Sequence, residues 1–240
     1  MSVYTIKLVS KQEIAEDTIA FIFEKPDGFN FKAAQFGEFT LINSQETDAE
    51  GNTRAFSLTQ LPSANHLMVA TRIRDTAFKR ILKDLPLGSE LKLDAPHGSF
   101  TLHNKKDIPA FFHTGGIGIT SVRSIIMHAA TEKLSHEIFL FYSNHRPEDA
   151  AFLDELKFLE TENSHYHFIP TMTNISKSRE AWQDETGYIN KKMLSNFIKD
   201  LTKPIYYISD PATMVPAMHR ILNEAGIDDD MIRMEEFSGY

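Results

Sequence analysis

The sequence predicts a two-part fold, an antiparallel β-barrel over residues 1–105 followed by a parallel-sheet α/β domain over 106–240. Three observations carry this. The first hundred residues break into short alternating apolar–polar runs separated by Pro, Gly, Asn and Asp, the pattern of half-buried antiparallel strands. After "LHNKKDIP" the style changes to apolar runs alternating with amphipathic helical patterns, as in a parallel sheet with helices on its faces. The first of those apolar runs ends in the glycine-packed turn "TGGIGIT", which opens a helix.

The elements follow in order. "VYTIKLVS", "TIAFIFEK", "EFTLIN", "AFSLTQ", "HLMVATRI" and "SELKLDA" read as six strands, with one helix, "TAFKRILKDL", lodged between the last two. "NSQETDAEGNTR" is too polar for a strand and reads as a surface loop. The second half pairs "AFFHT", "EIFLFYSN", "YHFIPTMTN" and "PIYYIS" each with a following helix. In the first of these helices Val122, Ile125, Ile126, Ala129 and Ala130 recur at helical spacing, with Thr120 or Ser121 as caps.

Composition narrows the function. A formal net charge of -8 argues against a broad nucleic-acid-binding face. The chain has no cysteine, which removes disulfides, thiolate zinc, cysteine nucleophiles and cysteine-ligated clusters. Charge appears within a few residues of the start and no apolar run suits a signal or membrane helix; a cytoplasmic location without membrane insertion is expected.

Glycines at the mouth of a helix expose backbone N–H groups where the helix dipole adds positive charge, so the turn at Gly115, Gly116 and Gly118 can hold an anion. Tight strand-to-helix packing is the alternative. The common dinucleotide fingerprint is absent: Ser121 stands at its third glycine, and the next strand ends in Ser143 and Asn144 instead of a carboxylate.

Taken together, "RAFSLTQ", "TGGIGIT", "YYISDPATM" and "EEFSGY" make the whole chain similar to the ferredoxin–NADP reductase family of flavoenzymes. The resemblance implies FAD on the barrel: Arg54 on its diphosphate, Phe56 stacked on the ring, Ser57 at N5, with Thr71 and the amides of Ala77, Phe78 and Lys79 as further contacts. Phe56 stands where the family has Tyr, and packing of Phe78 in the barrel is the rival for that helix. The resemblance gives Gly115, Gly116, Gly118 and Thr120 to NADH or NADPH, with Ser121 replacing a proline. It aligns Ser209, Asp210, Pro211 and Met214 with the family's second coenzyme motif, where Ser209 replaces a cysteine and Asp210 a glycine. Asp210 would repel a diphosphate. Glu235 would lie near the reacting atoms, and Phe237 or Tyr240 over the flavin.

The implied activity is an FAD-dependent NAD(P)H reductase, in which Ser57, Thr120, Ser209 and Glu235 serve the hydride transfer and electrons pass to a separate acceptor: ferredoxin, flavodoxin, a small molecule or oxygen. The alternative is a flavin-binding regulatory or docking module of the same fold without turnover. Arg72, Arg74, Lys79, Arg80 and Lys83 form a candidate docking patch for an acidic partner. Asn174 favours NADH, against which Lys177, Arg179 and Arg146 stand.

Other features read as structural. His165 and His167 share a strand face with no third metal ligand, Asp228 to Asp230 form a turn, and Trp182 precedes an expected Gly-Tyr-Ile strand as a packing anchor. No Gly-x-Ser-x-Gly elbow supports a hydrolase.

Overall fold

The structure, a computed structural model, describes residues 2–44, 46–211 and 214–237; the side chains of 2, 210, 211, 236 and 237 are outside that description. Tyr240 therefore lies outside the described residues.

The first sheet is antiparallel, built from β1 (Ser2–Ala15), β2 (Thr18–Glu24), β3 (Phe36–Leu41), β4 (Thr53–Ser57), β5 (His66–Arg72) and β6 (Glu90–His97), in the order β4-β3-β6-β1-β2-β5. Strand β1 is longer than its apolar run suggests because its first half pairs with β6 and its second with β2. The two edges meet where Thr59 N–H donates to Met68 O at 2.8 Å, bringing the sheet towards a barrel. Inside lie Phe21, Phe23, Phe39, Phe56, Phe78 and Leu93. Helix α1 (Ala77–Asp84) plugs one end: its amphipathic pattern buries Ala77, Phe78 and Leu82, and Thr76 caps it by accepting from Lys79 N–H.

The second sheet is parallel, in the order β10-β9-β8-β7-β11-β12. Its strands are β7 (Ala110–Gly115), β8 (Ile138–Asn144), β9 (Tyr166–Met172), β10 (Glu185–Thr186), β11 (Ile205–Pro211) and β12 (Ile232–Phe237). Every residue of β7 is buried: Phe112 faces the core under α2 (Ile119–Thr131) and α3 (Leu153–Glu162), while Phe111 faces the core under α4 (Lys191–Phe197) and α5 (Val215–Glu224). Burial on both faces is why these strands read as continuous apolar runs.

Several expectations are corrected. A 3-10 turn at Gly116–Gly118 precedes α2, so Gly118 occupies the cap position and no side chain caps the helix. Thr120 and Ser121 fall inside the first turn, where the Thr120 hydroxyl donates to Ile117 O at 3.0 Å. Gly187, Tyr188 and Ile189 are not a strand; only Glu185–Thr186 pairs with β9. Trp182 does anchor that segment, donating from Nε1 to Glu185 O at 2.8 Å. His165 and His167 both bond Glu137, and no metal-binding group occurs among the described residues. Among the same residues no helix is long and apolar enough to cross a membrane.

The two sheets are joined by buried polar contacts. From α2, Arg123 donates to Thr59 O at 2.8 Å and Ser124 to Gln60 O at 2.9 Å. Arg123 is 4% exposed, and its remaining donors pair with Glu155 at 2.6 and 2.8 Å. The segment after β4 is thereby fixed against the helix that starts at the glycine turn.

Candidate functional site

A cavity of about 410 Å³ opens between β4, β5 and the glycine turn. Arg54, Phe56, Ser57, Thr71 and Lys79 line its barrel side, and Ile117 and Thr120 its other side. A second cavity of about 260 Å³ lies at the carboxyl ends of the parallel strands, lined by Gly115, Gly116, Ser143, Asn144, Thr173 and Met214, where open parallel sheets bind ligands. Arg72, Arg74 and Ile117 line both. The two cavities are therefore neighbours across one short wall.

The first cavity fits a flavin at its inner end. Ser57 is 4% exposed and its hydroxyl is buried without a hydrogen-bond partner. A native buried hydroxyl left unpaired is costly, and a ring nitrogen or carbonyl placed there would satisfy it. The wall is cationic: Arg72, Arg74 and Lys79 all reach it. Burial and then the charges of Arg74, Arg54 and Arg72 push the Lys79 amine down to about 8, so an anion arriving here would be stabilised.

At the phosphate end the expectation meets an obstacle. Arg54 lies 2.9 Å from Asp48 Oδ1 and 3.0 Å from Glu50 Oε2, and its other amino group donates to the carbonyls of Glu50, Gly51 and Thr53. The second Asp48 oxygen accepts from Ala77 N–H at 3.1 Å, and Lys79 N–H is given to Thr76. Two of the three helix amides assigned to a diphosphate are thus engaged. Desolvation works against the Asp48 charge, but Arg54 and the amides of Glu50 and Ala77 outweigh it and hold its carboxyl below the usual range.

Phe56 is a core residue more than a stacking platform. It is 9% exposed, with its ring packed 5.7 Å from Phe39 and 5.8 Å from Phe78, because it alternates inward on β4 against Gly37. Phe78 is 1% exposed in the same core.

The glycine turn is held from below and behind. Gly116 has φ +54° with open space where a side chain would go, whereas a Cβ on Gly118 would sit 2.1 Å from Ser209 O. Gly118 is required by the passage of β11, and Gly116 by the turn itself. Thr114 donates to Ser209 O at 2.8 Å, and Tyr142 OH to Gly116 O at 3.1 Å.

Ser209 is fully buried and lines neither cavity. Its hydroxyl donates to Gly118 O at 2.9 Å and lies 2.9 Å from that of Ser121, so it braces the turn. Register places Ser209 beside Glu235. Glu235 is pushed up to about 7 by burial, against a hydrogen bond from Ser121, and one of its oxygens is buried without a partner. Asp210, Pro211 and Phe237 contribute backbone to the ends of β11 and β12, with Pro211 opposite Phe237.

The expected docking patch is divided: Arg72, Arg74 and Lys79 line the first cavity, while Arg80 pairs with Glu46 and Asp75 and Lys83 gives its carbonyl to Lys11. Sequence reading missed Asp48, Glu50 and Arg123. No pattern marks the first two, which act on Arg54 from an irregular loop. Arg123 had a signal, a cation inside the apolar helical stripe. Arg72 and Arg74 were read only as surface charges.

Known proteins bear on this geometry. Residues 113–220 match the oxidoreductase NAD-binding domain family. The chain is 26% identical over 213 residues to a probable flavin reductase of Photobacterium leiognathi, covering 86% of each chain. It is 27% identical over 228 residues to a glycine betaine monooxygenase reductase subunit of Pseudomonas aeruginosa, covering 92% of this chain but only 60% of that one. A ferredoxin NADP+ reductase from Neisseria gonorrhoeae, solved with FAD and NADP, superposes with a TM-score of 0.78 at 19% identity over 98% of both chains.

Proposed function

We propose that this chain, whose residues 113–220 match the oxidoreductase NAD-binding domain family and whose fold is that of a ferredoxin NADP+ reductase, is a flavin-dependent NAD(P)H oxidoreductase. In this reading residues 1–105 hold FAD and 106–240 hold the coenzyme. The observation that carries it is the shared wall of the two cavities at Arg72, Arg74 and Ile117. A ring bonded to Ser57 and a coenzyme seated on Gly115 and Gly116 would meet beside Thr120.

A flavin bound there would supply the redox chemistry, hydride acceptance from a nicotinamide and electron transfer to a separate acceptor. The chain's part is positional and electrostatic. Ser57 offers its unpaired hydroxyl to the polar edge of the ring. Thr120 borders the meeting point. Arg72 and Arg74 oppose the charge of phosphates, and the packed barrel wall behind Phe56 keeps water from one side. Ser121, Ser209 and Gly118 hold the turn at fixed height, and Glu235, half ionised near pH 7, can hold or release a proton close to it.

The relatives include a probable flavin reductase and a monooxygenase reductase subunit, so a small molecule and a protein are both acceptor classes for this chain. The 240 residues contain no cysteine for a cluster relay. The second reading, a flavin-binding module without turnover, is favoured by the burial of Ser209 away from both cavities. One experiment separates the two: the protein reconstituted with FAD is mixed with NADH or NADPH under argon. Bleaching of the flavin band with a saturable rate is expected for the enzyme. A bound flavin that stays oxidised with both coenzymes rejects it in favour of the module.

A further inference from the structure

The cradle for a flavin phosphate already holds an anion, and that anion is Asp48. One of its oxygens lies 2.9 Å from the Arg54 guanidinium and the other accepts the first amide of α1, from Ala77, at 3.1 Å. These are the two donors, a forked cation and a helix N-terminus, that suit a phosphate. Glu50 N–H donates to Asp48 at 3.0 Å, and the Glu50 carboxylate adds a second contact on Arg54 at 3.0 Å. Among the described residues, the Arg54 hydrogen bonds run into the loop 46–53 and none into the cavity that Arg54 lines. The loop is polar, and Glu46, Thr47, Ala49 and Glu50 are exposed, so little apolar burial holds it in place.

We propose that Asp48 is an internal competitor for the phosphate of the flavin, a carboxylate latch that lowers affinity for phosphate-bearing flavins and leaves the ring site untouched. The proposal rests on the flavin reading above. A phosphate reaching Arg54 must displace the Asp48 carboxylate from both donors, and the loop then swings outward. A ring bound at Ser57 without a phosphate has no such requirement. The latch therefore makes flavin exchangeable, held mainly by its ring, and it makes Arg54 contribute less to affinity than a bare guanidinium would.

The test compares equilibrium binding of FAD, FMN and riboflavin, read by flavin fluorescence without coenzyme, in the parent and in Asp48→Asn. The expected result is FAD and FMN binding tighter by about tenfold, the scale of one charge-assisted contact, with riboflavin unchanged within about twofold. Glu50→Gln, which removes the other carboxylate on Arg54, is expected to act in the same direction with a smaller change, and it carries the test should Asp48→Asn not fold. Inorganic pyrophosphate is expected to raise the melting temperature of the Asp48 variant and not of the parent. Riboflavin bound equally by both proteins, with an unchanged ratio of FAD to riboflavin affinity, overturns the latch alone. Failure of parent and variant to bind any of the three flavins overturns the flavin reading and the latch with it.

Discussion

Ser121 and Ser209 lie with their hydroxyl oxygens 2.9 Å apart, both fully buried and 88 residues apart in the chain. They are two of the departures from the ferredoxin–NADP reductase pattern, standing for a proline and a cysteine, and the fold places them against each other. The Ser209 proton goes to Gly118 O, so at this contact Ser209 is placed to accept from Ser121, and the two departures share one buried hydrogen-bond network that neither leaves for water.

That pairing predicts non-additive stability. Ser121→Ala and Ser209→Ala are each expected to cost about 1 kcal/mol, and the double variant less than the sum by about 0.5 kcal/mol or more. Urea unfolding of the four proteins measures the difference. Additivity within about 0.3 kcal/mol would show that the hydroxyls do not depend on one another.

Glu235, beside Ser209 in the parallel sheet, makes stability depend on pH. Its folded value near 7 lies above the ordinary 4.5 because burial disfavours the charge. The native state therefore binds the proton more tightly than the unfolded chain. Its contribution is fully favourable below about 4.5 and is lost as pH rises through about 7. Replacing Glu235 by Gln is expected to flatten stability across that window and to remove an inflection near pH 7 from the rate of flavin reduction. A parent profile with no inflection between pH 6 and 8, about one unit either side of that value, would place no titrating Glu235 at the reacting atoms.

Arg123 predicts how firmly the halves are locked. Its guanidinium is buried between Thr59 O and Glu155, and truncation leaves the Glu155 carboxylate and a buried carbonyl short of a partner. Arg123→Ala is expected to cost about 3 kcal/mol and Arg123→Lys less, since lysine keeps the charge but not the fork. Denaturant titration gives the magnitudes. Loss of a single cooperative transition in the Ala variant would further show the halves melting apart.

Coenzyme choice follows from charges already spent. Arg146 is paired with Asp149 at 2.6 Å and Glu16 at 2.8 Å, and Arg179 reaches Glu16 and Glu148. Arg146 is thereby held away from a 2′-phosphate, Arg179 is exposed with contacts of only 3.5 and 3.7 Å, and Asn174 spends its N–H on His145 O at 2.9 Å. NADH is expected to exceed NADPH in kcat/KM by about tenfold, which is about 1.4 kcal/mol, and Glu16→Gln to narrow the gap. Steady-state kinetics with both coenzymes decide it. A preference for NADPH in the parent would mean that these ion pairs open for the coenzyme.

What the sequence determined by itself was whatever depends on neighbours along the chain. Alternation in "HLMVATR" and the unbroken apolar run "AFFHTG" distinguish the half-buried barrel strand from the doubly covered parallel one, since the two periods follow from backbone geometry. The glycine turn was equally legible, as positive φ and the opening of a helix are local demands. The tertiary structure alone decided which groups satisfy one another across the fold. It set Asp48 on Arg54 and on the amide of Ala77, sent the Phe56 ring into the barrel, and withdrew Ser209 from the cavities to brace Gly118. A charge or a hydroxyl carries no periodic mark of its partner. Its partner is set by where strands and loops distant in the chain come to rest, and by the cost of leaving a buried polar group alone once they have.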